Sequence, residues 1–249
     1  MFDDLSRRQE QFVSQAQWTG SIRRYLTECC RITPDQCCLE VGCGTGVILL
    51  DWEQHYHPAF GIDLHYQSLR MAASHVKSPL TAADAIHLPY SDNTFDCIFS
   101  HYFFLWAKHP LDVLNEIMRC MKPGGWLLVF AEPDYGGRID FPPSLEVAKD
   151  IQISGLRNQG ADPFMGRKMQ SLLQKSGFRS ISGGILASEW QTPETAPDQD
   201  NIDRKNLIHD LSFSDMDIDA SQLAAWDQKA RQQGTRIAYV PTFYFRAQK

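Results

Sequence analysis

Three cysteines and three glycines crowd one short stretch, QCCLEVGCGTGVILLD at residues 36–51: Cys37, Cys38 and Cys43 with Gly42, Gly44 and Gly46. Sulfur at that density could ligate a metal. Glycine at that density could bring a ligand against bare backbone. A zinc site needs paired ligands at spacings such as C-x2-C, with a second pair elsewhere. Cys37 and Cys38 are adjacent, so on a strand their side chains leave by opposite faces, and no C-x2-C or H-x3-H pair occurs. No metal is expected, and Cys37, Cys38, Cys97 and Cys120 read as small buried apolar side chains. The glycines have a better physical account: a strand, a sharp Gly42-Cys43-Gly44-Thr45-Gly46 turn, then a helix start with unpaired N–H groups. The dinucleotide pattern G-x-G-x-x-G/A is not met, because Val47 holds its last place. Glu40 precedes the first glycine by two residues. Asp63 follows it by about twenty, the separation of the ribose-binding acid in dinucleotide folds.

The elements around these residues alternate. Residues 1–31 have helical spacing of Phe12, Ala16, Ile22, Tyr25 and Leu26, with no proline before Pro34. CCLEVG, AFGIDL, PLTAAD, FDCIFS and WLLVFAEP read as strands, and TGVILLDWEQHY, HYQSLRMAASHV and PLDVLNEIMRCMK as the helices between them. Short joints and unbroken apolar strands imply a parallel sheet covered on both faces, an α/β fold. Beyond Pro133 the regularity weakens. SLEVAKDIQISGLRNQG and GRKMQSLLQKSG read as helices, and FRSISGGILASEW as a strand bent or bulged at Gly183–Gly184. QTPETAPDQDNID reads as a loop, and the acidic runs near 198–203 and 215–219 as solvated surface. A helix follows with Asp219 as N-cap and Gly234 as stop. IAYVPTFYFRAQK closes the chain as one strand, which Pro241 places at an edge or a bulge.

LEVGCGTG resembles the first motif of the class I S-adenosylmethionine-dependent methyltransferases, of the methyltransferase type 11-like small-molecule branch. Further pieces follow in that family's order: GIDL at 61–64, ADAIHLPYSDNTFDCIFSHYFFLW at 83–106, MKPGGWLLVFAEP at 121–133 and GRKMQSLLQKSGF at 166–178. The resemblance covers about residues 35–180. It implies a seven-stranded, mostly parallel sheet in the order 3-2-1-4-5-7-6, with an antiparallel last strand and helices on both faces. It also implies one methyltransferase domain over 1–249. Residues 1–31 would form a helical cap, 35–190 and 236–249 the cofactor-binding sheet core, and 133–165 and 191–235 substrate-side insertions.

The cofactor so implied is S-adenosylmethionine, leaving as S-adenosylhomocysteine. Gly42, Cys43, Gly44 and Gly46 would shelter its methionine part, with Glu40 beneath the turn. Asp63 would accept the ribose hydroxyls and Leu64 would pack on adenine. Asp84 and the Ala85 N–H would meet the adenine edge, and Ser100 and His101 would lie beneath the sulfonium. Trp18, Phe12 and Arg23 could close over it. His101 is the expected general base, with Tyr135 as a second catalytic candidate and Tyr102 and Asp134 nearby. Tyr135, Arg138, Asp140 and Phe141 in EPDYGGRIDFPPS are candidate pocket residues.

The 249 residues carry a formal charge of −6 and a pI near 5.7, which gives no general attraction to nucleic acid or anionic membrane. SHYFFLW also lacks the Asn/Asp-Pro-Pro-aromatic pattern of enzymes that methylate exocyclic amines on nucleobases. The expected partner is a small-molecule substrate in preference to nucleic acid, with protein acceptors left open and no membrane, and the expected state is a monomer or homodimer. MFDDLSRRQEQ lacks a signal-peptide core and no stretch approaches the ~20 apolar residues of a span. The odd cysteine count then points to a reducing cytoplasm. Two other functions are compatible with the motif: a non-catalytic S-adenosylmethionine-binding module, and an NAD(P)-dependent oxidoreductase, which the glycine spacing disfavours.

Overall fold

The computed structural model describes residues 2–187 and 197–249, with side chains for 7–187 and 202–249. The N-terminal helical stretch is two helices, α1 (Phe2–Trp18) and α2 (Gly20–Cys29), that break at Thr19. Strand and helix then alternate through β1 (Cys38–Val41), α3 (Val47–Trp52), β2 (Phe60–Asp63), α4 (Tyr66–Ala72), β3 (Leu80–Ala82), β4 (Phe95–Ser100), α5 (Pro110–Cys120) and β5 (Met121–Pro133). The later part adds β6 (Ile139–Phe141), α6 (Val147–Asn158), α7 (Met165–Lys175), β7 (Arg179–Leu186), α8 (Pro197–Phe213), α9 (Ala220–Gln232), β8 (Ile237–Tyr239) and β9 (Thr242–Gln248).

Seven strands form one sheet in the order β3-β2-β1-β4-β5-β9-β7. Counting only this sheet's strands along the chain, that is 3-2-1-4-5-7-6, as expected. β1 pairs parallel with β2 and β4, and β9 runs antiparallel between β5 and β7. Period-two alternation divides the core. Leu39, Val41, Ile98, Leu127 and Val129 pack with Leu114, Ile117, Met169 and Leu173 on one face. Cys38, Cys97, Phe99, Leu128 and Phe130 pack with Leu26, Leu49 and Trp52 on the other. A third cluster of Leu145, Ala148, Ile151, Leu207, Leu211, Leu223 and Ala230 belongs to the late helices alone.

Four expectations change. The closing strand is two: β8 pairs with β6 in a separate two-stranded sheet, and the main sheet resumes only at Thr242. Pro241 therefore lies at a break, and β9 is interior rather than an edge. The shift in the β7–β9 register falls between Arg179 and Ser182, before the paired glycines. At Gly183 a Cβ would lie 2.4 Å from the Phe245 ring, so cross-strand packing accounts for that residue. Part of the polar segment taken as a loop is helix. Pro197 opens α8, where a proline costs no hydrogen bond, so the acidic run at 198–203 is helical, and residues 188–196 lie outside the described residues. Two expectations hold: Asp219 accepts the Ser221 N–H at 2.8 Å as the N-cap of α9, and Gly234 follows that helix's C-cap, Gln233, with φ +65°.

Candidate active site

Because β1, β2, β3 and β4 are parallel, their carboxyl ends point one way. The loops leaving them wall one end of a cavity of about 1560 Å³. The turn after β1 is fixed by backbone. Gly42 has φ +74°, and a Cβ there would lie 2.2 Å from the Phe103 ring, so only glycine fits. The N–H groups of Gly42 and Cys43 both donate to the Ile62 carbonyl at 2.9 Å. Gly44 N–H donates to Asp63 Oδ2 at 2.8 Å, and His65 N–H to Oδ1 at 2.7 Å. Asp63 is thus pinned at the end of β2 with lone pairs left on both oxygens. Asp84 is held similarly, by the Ile86 N–H at 3.1 Å. Leu64 is 73% exposed, an apolar side chain left on the cavity wall.

Glu40 lies beneath the turn, fully buried, and its Oε2 has no partner among the described residues. Burial pushes this carboxyl up, and the Arg23 guanidinium opposes the push. A buried oxygen without a donor is a deficit that a ligand N–H could fill.

Arg23 ties the N-terminal helices to this floor. Its Nε and Nη2 donate to Asp51 Oδ2 at 3.0 and 2.9 Å, and its Nη1 to Thr19 Oγ1 at 2.7 Å. The Thr19 hydroxyl donates to the Gln15 carbonyl at 2.6 Å. With that proton committed, the network assigns the His101 Nε2 contact to Thr19 Oγ1, at 2.9 Å, as a donation from the ring. Nδ1 is then the unprotonated nitrogen. Burial, and secondarily Arg23, lower His101 to about 3, so the ring is neutral at ordinary pH.

The far half of the cavity is built from later elements. Tyr135, Gln152, Asp210, Asp227 and Arg236 line it, with Phe12 and Trp18 from α1. Burial pushes the Tyr135 phenol well above its ordinary range. Asp134 turns away: its carboxylate pairs with Arg167 and accepts the Gly136 N–H at 3.0 Å, and it lines no part of the cavity.

A methyltransferase-domain family model matches residues 39–129. A demethylmenaquinone methyltransferase of Corynebacterium kroppenstedtii is 32% identical over 188 residues, covering 68% of this chain and 80% of that one. The chain belongs to the class I S-adenosylmethionine-dependent methyltransferases. A malonyl-[acyl-carrier protein] O-methyltransferase of Marinomonas is 34% identical over 96 residues, and there the match spans only 36% of each chain. In fold, phosphoethanolamine N-methyltransferase 2 of Haemonchus contortus, solved with phosphomonomethylethanolamine and S-adenosylhomocysteine, superposes with a TM-score of 0.59 at 17% identity. That superposition covers 96% of this chain and 57% of the other.

The methyltransferase's cofactor is S-adenosylmethionine, and the first wall suits it. Glu40 offers a buried oxygen that lacks a donor among the described residues, and Asp63 keeps spare lone pairs on both of its pinned oxygens. Of the residues singled out from sequence, Glu40, Gly42, Cys43, Gly44, Asp63 and Leu64 meet on the cavity. Asp84, Ala85, His101 and Tyr135 join them there. Gly46 and Ser100 do not. Gly46 seats the start of α3 against Ala72, and Ser100 is fully buried with an Oγ that has no partner among the described residues. Arg138 lines the cavity, Asp140 backs it and Phe141 is 49% exposed outside it.

Sequence reasoning missed Glu132. It is fully buried near the end of β5 and accepts the N–H groups of Phe103, Phe104 and Leu105 at 2.9, 2.7 and 3.2 Å. Burial pushes it up to about 8 against those three donors. Through that loop it sets the Phe103 ring against Gly42, so a β5 side chain shapes the glycine turn from behind. An acidic residue closing an apolar strand, in WLLVFAEP, was the available signal.

Proposed function

We propose that this methyltransferase passes its donor's methyl group to a small molecule held in the same cavity. The observation that carries the reading is the cavity's reach. One volume of about 1560 Å³ runs from Glu40 and Asp63 at the glycine turn to Tyr135, Asp210 and Arg236 among the inserted elements. That exceeds the roughly 300–1,000 Å³ of a pocket for one small ligand. It suits a donor and an acceptor side by side.

In this reading Glu40 receives the donor's ammonium, and the Gly42–Cys43–Gly44 backbone flanks its amino-acid part. Asp63 accepts the ribose hydroxyls, Leu64 covers the adenine face, and Asp84 with the Ala85 N–H meets the adenine edge. Gly46 and Ser100 act indirectly, by seating α3 and ending β4. S-adenosylmethionine supplies, when bound, a methyl group already activated on a sulfonium. The protein's task is alignment of an in-line displacement and exclusion of water. His101 is too weak a base to take a proton from an ordinary amine or alcohol, and Tyr135 keeps its proton near neutral pH. Both serve as fixed polar walls, which suits an acceptor that is already nucleophilic at working pH. Seven free cysteines support a reducing cytoplasm as the setting. No helix among the described residues is long and apolar enough to cross a membrane.

The test is label transfer. The full chain is incubated with methyl-labelled S-adenosylmethionine and a cell lysate divided by ultrafiltration beforehand. Label in acceptors from the filtrate is expected. Label confined to protein or nucleic acid from the retained part contradicts the small-molecule reading.

A further inference from the structure

The late elements are held together by a continuous line of polar side chains running behind and along the cavity wall. On α9, Arg231 Nε donates to Asp227 Oδ2 at 2.7 Å. Arg236, just before β8, donates to Asp227 Oδ1 at 2.8 Å and to Asp140 Oδ1 of β6 at 2.7 Å. Arg138 donates to both oxygens of Asp140 and, through Nη1, to Gln152 Oε1 on α6. Gln152 Nε2 passes the line to Asp210 Oδ2 on α8 at 2.9 Å, and Gln159 Nε2 reaches Asp210 Oδ1 at 3.3 Å.

The line has one unbalanced end. Asp227 and Asp140 each bond two guanidinium groups. Among the described residues Asp210 bonds only two neutral amides, although its residue is 7% exposed and borders the cavity. Its place is fixed by close helix packing: at Gly155 of α6 a Cβ would lie 2.2 Å from the Asp210 carbonyl oxygen, so α8 presses on α6 at that point. The charged groups acting on it are Arg7 of α1 and Arg138, neither within hydrogen-bond contact, and burial outweighs them to push the carboxyl up to about 6. The Tyr135 phenol also senses it. A buried carboxylate with spare lone pairs and no cation in contact is stabilised by a ligand that supplies one.

We infer that the methyl acceptor is a polar molecule carrying a protonated nitrogen, which docks on the Asp210 carboxylate. The inference rests on the methyl-transfer reading above and names its acceptor class. It separates this chain from its Corynebacterium kroppenstedtii relative, whose name specifies a quinone acceptor. A long hydrocarbon laid along this wall would desolvate the line of Arg, Asp and Gln side chains without replacing any hydrogen bond.

The test splits the small metabolites of a cell extract before reaction into three pools: retained on a cation exchanger, unretained in water, and extracted into organic solvent. Each is incubated with the full chain and methyl-labelled S-adenosylmethionine. Label transferred to acceptors of the cation-retained pool is expected. Label confined to the unretained or organic pool, or absent from all three, overturns the inference. Calorimetry with S-adenosylhomocysteine runs in parallel, and absence of binding there defeats the methyl-transfer reading itself. For the acceptor purified from the active pool, Asp210→Asn should raise KM by about 30-fold or more, with affinity for S-adenosylhomocysteine little changed. The wild-type KM should rise as pH falls below 6, and that rise should be missing in the variant. An unchanged KM in Asp210→Asn overturns the inference independently of the pools.

Discussion

The glycine turn and the chamber behind Tyr135 face the same cavity and are built by opposite means. The turn is backbone: N–H groups of Gly42, Cys43 and Gly44 meet Ile62 and Asp63 on the neighbouring strand β2, within about twenty residues of chain. The chamber is side chains: Asp140 meets Arg236 across 96 residues, and Gln152 meets Asp210 across 58. A backbone-built wall tolerates most side-chain changes except where a Cβ has no room. A wall of paired buried charges fails whenever one partner is lost, because the other is left desolvated.

That contrast is most exposed at Asp140. Asp140→Ala leaves Arg138 and Arg236 without their shared carboxylate, and all three side chains are less than a tenth exposed. Urea unfolding should show a loss of about 3–5 kcal/mol. A loss under about 1 kcal/mol would mean that the chamber stands on the Leu207–Leu223 apolar cluster instead. On the other wall, Gly42→Ala meets both a left-handed φ and the Phe103 ring. It should cost about 1–3 kcal/mol and weaken S-adenosylhomocysteine binding, while Asp140→Ala protein that remains folded keeps that affinity. Equal binding losses in the two variants would erase the distinction between the walls.

A smaller effect is expected at His101. A general base contributes about 100- to 10,000-fold to rate, whereas His101→Gln should slow methyl transfer by less than about 10-fold with the pH profile unmoved. A larger drop with a lost ionisation would restore the base role.

In the pH dependence of stability the two walls have opposite signs. His101 is lowered from 6.5 to about 3, so between those values the unfolded chain binds more protons, and its contribution to stability is lost as pH falls through that window. Asp210 is raised from 3.8 to about 6, so there the folded chain binds more protons, and stability is gained as pH falls from about 6 toward 4. Unfolding curves of His101→Gln and Asp210→Asn between pH 4 and 7 should therefore depart from wild type in opposite directions. Shifts of the same sign would refute the assignment of these two environments.

The difference in construction also explains what was legible in the sequence. Strand-end acids and glycines of the turn are near neighbours along the chain, and apolar strands alternate with helices, so the parallel sheet and the place of Asp63 near the turn follow from local pattern, while the strand order followed from the family resemblance. Glu132 was hidden because its three donors lie 27–29 residues upstream. β6 and β8 have three residues each, too few to show an alternation, and they pair across about a hundred residues of chain, with Ile139 opposite Tyr239. In α8 the buried Leu207 and Leu211 flank the buried Asp210, which blurs the apolar stripe that marks a helix.

The central claim is that Asp63 holds the donor's ribose beside a turn shaped by Gly42. Titration calorimetry of the full chain with S-adenosylhomocysteine, on wild type and Asp63→Asn, tests it most directly. Saturable one-site binding is predicted for wild type, weakened by about 10- to 100-fold in the folded variant. Equal affinity of the two proteins, or no heat with the folded wild type, would contradict it.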